Sequence, residues 1–88
     1  MIVRIKTTFI KDRDRLPTKI QERVDELVAE TLPKIQRLSD LPSITDLKGH
    51  KGFYRARIGS YRVGLELRSD ALVVHRVLHR SVIYRYFP

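Results

Sequence analysis

The chain is predicted to be an α+β domain in which helices cover one face of a mostly antiparallel sheet. Three observations carry this. Ile20, Val24, Leu27, Val28 and Thr31 recur at spacings of 4, 3, 1 and 3, which places them on one face of an α-helix. FYRARI (53–58) and YRVGLEL (61–67) alternate apolar and polar residues on either side of Gly59-Ser60, the mark of two half-buried strands. The order along the chain is one strand, then helices, then a meander of three strands, so the two kinds of structure are segregated as in α+β folds.

Each element has its own signal. IVRIKTTF (2–9) alternates Ile2, Arg4 and Lys6 against Val3 and Ile5, with Phe9 closing, and reads as a strand. IKDRDRL (10–16) is charged and suits a short helix. Pro17 fits the first turn of the following helix, where its missing N–H is not needed. Gln21, Glu22, Arg23, Asp25, Glu26 and Glu30 cover much of that helix's outer face. Pro33 disfavours helix at Leu32 and is expected to kink or end the run, with PKIQRLSD (33–40) adding a turn or two. LPSITDLKGHKG (41–52) contains Pro42, Gly49 and Gly52 and reads as a loop. Gly59-Ser60, with glycine first, suits a type II′ turn. Ser69-Asp70 marks another turn before LVVHRVLHR (72–80), a third β run, and SVIYRYFP (81–88) is a short aromatic tail. No repeat or linker interrupts the 88 residues, so residues 1–88 are read as a single domain.

Composition limits the function. Cysteine is absent, which excludes disulfides and thiolate metal sites and fits a reducing compartment. MIVRIKTTFIKDRDR has neither a long apolar run nor a small-residue cleavage site. No stretch approaches the roughly 20 apolar residues of a transmembrane helix. A soluble cytoplasmic protein is expected. Eighteen Lys and Arg against ten Asp and Glu leave a net charge of +8. Such an excess favours polyanions through phosphate neutralisation and counterion release, or an acidic protein partner.

The hairpin concentrates that charge. With Gly59-Ser60 as the turn, Ile58 faces Tyr61 and Arg57 faces Arg62. Tyr54, Ala56, Ile58, Tyr61, Val63, Leu65 and Leu67 then share the core side. Phe53, Arg55, Arg57, Arg62, Gly64 and Glu66 share the other side, so three arginines converge on one open face. Gly64 opposes Arg55 and leaves space over the sheet. A like-charged pair placed directly across two strands is destabilising, which points to an anion supplied from outside the chain. The next strand's register is open. A two-residue turn at Ser69-Asp70 brings His75 and His79 to the arginine face, a three-residue turn brings Arg76 and Arg80, and a bulge can rescue either.

LKGHKGFYRARIGSYRVGLEL followed by VVHRVLHRSVIYRYFP strongly resembles the RelE/ParE superfamily of bacterial toxins. The shared features are Leu47-Lys48-Gly49, Tyr54-Arg55-Ala56-Arg57, Gly59-Ser60-Tyr61-Arg62 and His79-Arg80 followed by Ile83-Tyr84-Arg85. The resemblance covers nearly the whole chain. It implies a RelE-like fold, with a sheet of about four strands packed by two N-terminal helices, and a toxin–antitoxin role. RelE-like members cleave mRNA in the ribosomal A site without metal or other cofactor, and a cognate antitoxin silences them. ParE-like members share the fold and inhibit DNA gyrase by binding. A catalytically silent relative is a third alternative.

The resemblance also implies site residues. The chemistry is attack of an RNA 2′-OH on the adjacent phosphate. It needs a base, cations around the phosphorane, and an acid for the leaving 5′-oxygen. Arg62, Arg80 and Tyr84 match family positions, and Tyr86 lies close enough to Tyr84 to compete. Arg55 and Arg57 stand where the best-known RelE toxins carry two lysines. Arginine stays protonated, so both can hold phosphate and neither can act as base. The expected catalytic set is Arg55, Arg62, Arg80 and Tyr84, with Arg57, Lys48, Lys51 and His79 contacting RNA. Tyr84 is the leading candidate for the base, because clustered cations favour a phenolate. His79 is the alternative. An acidic antitoxin and mRNA in the ribosomal A site are the expected partners, with no metal and no membrane.

Overall fold

The computed structural model describes residues 1–88. Strand β1 (Ile2–Ile5) leads into helix α1 (Thr7–Asp14) and helix α2 (Thr18–Asp25). α2 continues through a π-helical stretch (Glu26–Thr31) into a last turn, Leu32–Lys34. The strands β2 (Ile44–Asp46), β3 (Phe53–Ile58), β4 (Tyr61–Arg68) and β5 (Ala71–His79) follow, and a short 3₁₀ turn (Ile83–Arg85) ends the chain. The sheet runs β1-β5-β4-β3-β2. β1 lies parallel to β5 and every other pair is antiparallel. The expected α+β architecture holds, with five strands rather than about four.

The fifth strand is β2, inside the stretch read as a loop. Its three residues pair with β3, Ile44 opposite Ala56 and Asp46 opposite Tyr54. Alternation cannot be recognised over so short a span. The first strand is shorter than its sequence pattern. It stops at Ile5, the Lys6 N–H donates to the Val74 carbonyl (3.0 Å), and Thr7–Phe9 already belong to α1. The helical turn carries Phe9 into the core, where it is 5% exposed. Pro33 neither ends the helix before it nor breaks it. The Leu32 N–H donates to the Leu27 carbonyl five residues back. This wider turn loosens the ladder where the proline ring meets the preceding turn, the usual accommodation of a π-bulge.

The hairpin adopts the expected register, with Arg57 opposite Arg62 and Gly64 opposite Arg55. Gly59 has φ +56°, which fits the first central position of a type II′ turn. The register of β5 combines the two alternatives. Ser69-Asp70 is a two-residue turn, with Arg68 opposite Ala71, and a bulge then shifts the pairing so that Leu65 faces Val74 and Gly64 faces Arg76. His75 is the extra residue. A bulge reverses the alternation beyond it, so Leu78 joins the arginine face, opposite Arg62, and His79 joins the other, opposite Tyr61.

Thirteen buried residues form the main core between helices and sheet. Val24 and Leu32 from the helical layer, and Val63, Leu65, Leu72, Val74 and Val77 from β4 and β5, have no exposure. Burying each such side chain contributes roughly 1.5–3 kcal/mol. β1 covers β5 only as far as Val74, so the edge of β5 beyond it is open. Asp12 of α1 closes it. Its carboxylate accepts from the Val77 N–H (3.2 Å) and, through both oxygens, from the Arg76 guanidinium (2.7 and 3.0 Å). Asp12 is the one buried charged residue, and the bidentate arginine satisfies it.

Candidate active site

β3 and β4 project Arg55, Arg57 and Arg62 from the face opposite the helices. Arg80 follows the end of β5, and the 3₁₀ turn supplies Tyr84. With Pro42, Ser43 and Thr45 at the rim, these five side chains line one cavity of about 450 Å³. The Arg55 Nε–H donates to Thr45 Oγ1 (3.1 Å), and its Nη1 donates to the Tyr84 hydroxyl (2.7 Å). Its guanidinium carbon lies 5.8 Å from the centre of the Tyr84 ring. Arg62 Nη1 donates to the carbonyls of Gly59 and Tyr61, both at 2.9 Å, so the turn itself orients this guanidinium.

None of the four arginines forms an ion pair. The carboxylates that pair with arginine engage Arg13, Arg68 and Arg76 instead. Burial is the largest influence lowering the pKa of Arg62; Arg57, Arg80 and Arg55 push it further down, and Tyr84 opposes the shift. Arginine begins so far above neutrality that the group remains a cation. The cavity therefore holds four fixed positive charges with free donors and one phenol. That arrangement suits a phosphate carrying extra charge, because its donors are oriented before any anion arrives.

A second, small core seats Tyr84. Leu47, Ile83 and Phe87 are buried on this face, with Phe53 and Leu78 packed against them. The tail thus folds back across the sheet beside the cavity. Phe87 occupies the space over Gly64: a β-carbon there would meet its ring at 2.7 Å. Tyr86 is separated from Tyr84 by the same turn. Its ring lies over Arg76, with the guanidinium carbon 5.3 Å from the ring centre.

The structure thus brings Arg55, Arg57, Arg62, Arg80 and Tyr84 together. Lys48 lines a neighbouring cavity of about 350 Å³ that shares Arg55 and Tyr84 with the first. Lys51 lies further off, in the loop cavity formed by residues 46–52 and Tyr54. His79 is not part of the arginine cavity. Past the bulge its ring stacks edge-on against Tyr61 (5.4 Å) on the opposite face, and its Nδ1 lies 2.8 Å from Ser81 Oγ. Thr45 and Ser43 are wall residues that the sequence did not reveal, since they sit in the stretch read as loop. Asp12 was hidden in a charged run with nothing to mark it as buried.

A helix-backed sheet whose open face gathers four arginines and a tyrosine around one cavity is the architecture of a small basic protein with an anion-compatible pocket. Residues 3–84 match the family described as ParE toxin of type II toxin-antitoxin system, parDE. Toxin RelE3 of Methanocaldococcus jannaschii is 40% identical over 89 residues, covering all of both chains. Among solved structures, the RelB-RelE antitoxin-toxin complex from Methanococcus jannaschii superposes with a TM-score of 0.79 at 35% identity, over 97% of this chain and 99% of the other. The toxin-antitoxin complex RelBE2 from Mycobacterium tuberculosis gives 0.70 at 29% identity, over 90% and 96%. The isolated RelE toxin of E. coli shares the fold, with a TM-score of 0.68 at 17% identity over 96% and 90%. The chain belongs to the RelE/ParE superfamily and is a RelE-like toxin of a type II toxin–antitoxin system.

Proposed function

We propose that this toxin is a metal-independent endoribonuclease that cleaves mRNA in the ribosomal A site. The observation that supports it is the convergence of Arg55, Arg57, Arg62, Arg80 and Tyr84 on one cavity without a carboxylate among them. In the reaction the RNA 2′-oxygen bonds to phosphorus and the bond to the 5′-oxygen breaks. The 2′-OH proton passes to a base, and the leaving 5′-oxygen takes a proton from an acid. The products are a 2′,3′-cyclic phosphate and a 5′-hydroxyl. Arg62 and Arg80 stabilise the phosphorane, Arg55 and Arg57 hold flanking phosphate oxygens, and Lys48 and Lys51 contact the RNA backbone.

Tyr84 is the proposed base. With His79 on the far face, it is the one titratable side chain other than the arginines that lines the cavity. Arg55 donates to its hydroxyl oxygen, which fixes that oxygen inside the arginine cavity. The partner is proposed to be an acidic antitoxin. The relatives at 35% and 29% identity are complexes with antitoxins, and a chain of net charge +8 steers an acidic partner toward its basic face. The toxin would act where ribosomes are, in the cytoplasm.

A second reading has its own support: the matched family is described by ParE, and ParE-like toxins inhibit gyrase. Programmed ribosomes carrying end-labelled mRNA separate the two. Cleavage is expected to continue when EDTA is added after the complex has formed. Tyr84→Phe should slow the single-turnover rate by about 10²-fold or more, and Arg62→Ala should slow it on the order of 10²–10³-fold, both with ribosome binding retained. Intact mRNA together with arrested gyrase supercoiling would overturn the nuclease reading.

A further inference from the structure

Tyr84 is half exposed, and no hydrogen bond other than the one from Arg55 holds its hydroxyl. Its position must come from what anchors the tail. Phe87, three residues on, is 3% exposed. Its ring packs edge-on against Phe53 at 5.7 Å and tilted against His75 at 5.4 Å, and His75 is in turn held by Glu66 (2.8 Å). Beneath the ring lies Gly64, where a β-carbon would come within 2.7–2.8 Å of three ring carbons. The tail between the two residues is a closed turn. The N–H groups of Tyr86 and Phe87 both donate to the Ile83 carbonyl, at 3.0 and 2.9 Å. A displacement of Phe87 is therefore passed to Tyr84 through a stiff segment.

We infer that Gly64 and Phe87 form a socket that positions Tyr84 against Arg55. The nuclease reading above enters only through the cleavage-rate arm of the test. Gly64 needs no unusual backbone, since its φ is not in the left-handed region. Glycine inside a strand is ordinarily a weakness that a side chain would repair. Its presence here is accounted for by the ring above it. Phe87 is a positioning residue: it lines the neighbouring cavity with Lys48, not the one that holds the four arginines.

The test is Gly64→Ala, with Gly64→Ala/Phe87→Leu as the rescue, since the smaller, flexible leucine can share the socket with a methyl group. Nuclear Overhauser contacts between the Tyr84 ring and the Arg55 side chain are measured directly. Amide exchange is followed at Tyr86 and Phe87, with the β4–β5 amides as the check that each variant is folded. Gly64→Ala is expected to abolish those contacts, to speed exchange at both tail amides at least tenfold, and to lower single-turnover cleavage at least tenfold with ribosome affinity unchanged. The double variant should recover all three in part. Parental contacts and exchange in Gly64→Ala would overturn the socket. Lost contacts with a parental cleavage rate would overturn its positioning role. If the parent does not cut mRNA at all, the nuclease reading falls, while the contacts and exchange still decide whether Gly64 and Phe87 place Tyr84. If Gly64→Ala fails to fold, Phe87→Ala, which empties the socket without a clash, must lose the same Tyr84 contacts or the inference is wrong.

Discussion

On the helix-covered face of the sheet, Ala56, Val63, Leu65, Leu72, Val74 and Val77 are wholly buried beneath Phe9, Val24, Val28 and Leu32. On the opposite face the same strands present Arg55, Arg57 and Arg62, and a small buried cluster of Leu47, Ile83 and Phe87 lies beside them. One face is held by the removal of apolar surface from water. The other keeps like charges together in a half-open cavity, where Arg55 and Arg62 are oriented by neutral acceptors: Thr45, Tyr84 and the carbonyls of Gly59 and Tyr61. The difference shows how a small domain can carry a strained site. The apolar face supplies the folding free energy, and the open face is left to meet the requirements of an anion.

Truncating the apolar face should have the largest effect. Leu65→Ala removes a side chain with no exposure and should lose roughly 2–5 kcal/mol in urea denaturation. For a domain whose whole stability is about 5–15 kcal/mol, toxicity should fall through unfolding, in step with the loss of folded protein. A stability loss below 1 kcal/mol would show that the two faces share the load.

Asp12→Asn cuts the link between them, because this carboxylate joins α1 to Arg76, whose guanidinium underlies Tyr86. Charged hydrogen bonds of this kind are each worth about 1.5–3 kcal/mol, and the asparagine keeps part of the geometry. A loss of about 2 kcal/mol by denaturant titration is expected. No loss would mean that the open edge of β5 needs no closure.

The arginine face should respond with the opposite sign. Arg57→Gln removes one member of the directly opposed pair with Arg62 and should raise stability by roughly 0.2–1 kcal/mol while cleavage slows. A variant both less stable and fully active would contradict the view that repulsion is tolerated there for the sake of an anion.

The smallest effect is expected at Glu66, which lies on the same face as the arginines but is paired. The hydrogen bond from Arg68 is the main cause of its lowered pKa, His75 adds to it, and burial opposes it. A carboxyl whose folded pKa is depressed stabilises the fold above its ordinary value, 4.5 here, and that contribution is lost as the pH falls through the folded value. Glu66→Gln should therefore be slightly less stable than the parent at neutral pH, with the gap closing on acidification below about 4.5. Thermal melts across that range test it, and a gap that widens in acid would refute the assignment.

The residue pattern alone determined the α+β class, the helix face from Ile20 to Val28, the Gly59-Ser60 hairpin with Arg57 opposite Arg62, and the separation of core residues from arginines. These follow from periodicity and one turn, which are local properties of the chain. The family motifs singled out Arg80 and Tyr84, but nothing local could say that they reach the hairpin arginines. Three features depended on the tertiary structure. β2 is too short to signal itself and exists because β3 offers it a partner. The bulge at His75 reverses the alternation of β5 and sends His79 to the far face, a consequence of how β5 meets both β4 and α1 through Asp12. The tail is placed by the space over Gly64, which Phe87 fills. In each case the decisive contact joins residues distant in the chain, so its free energy appears only once the sheet has formed.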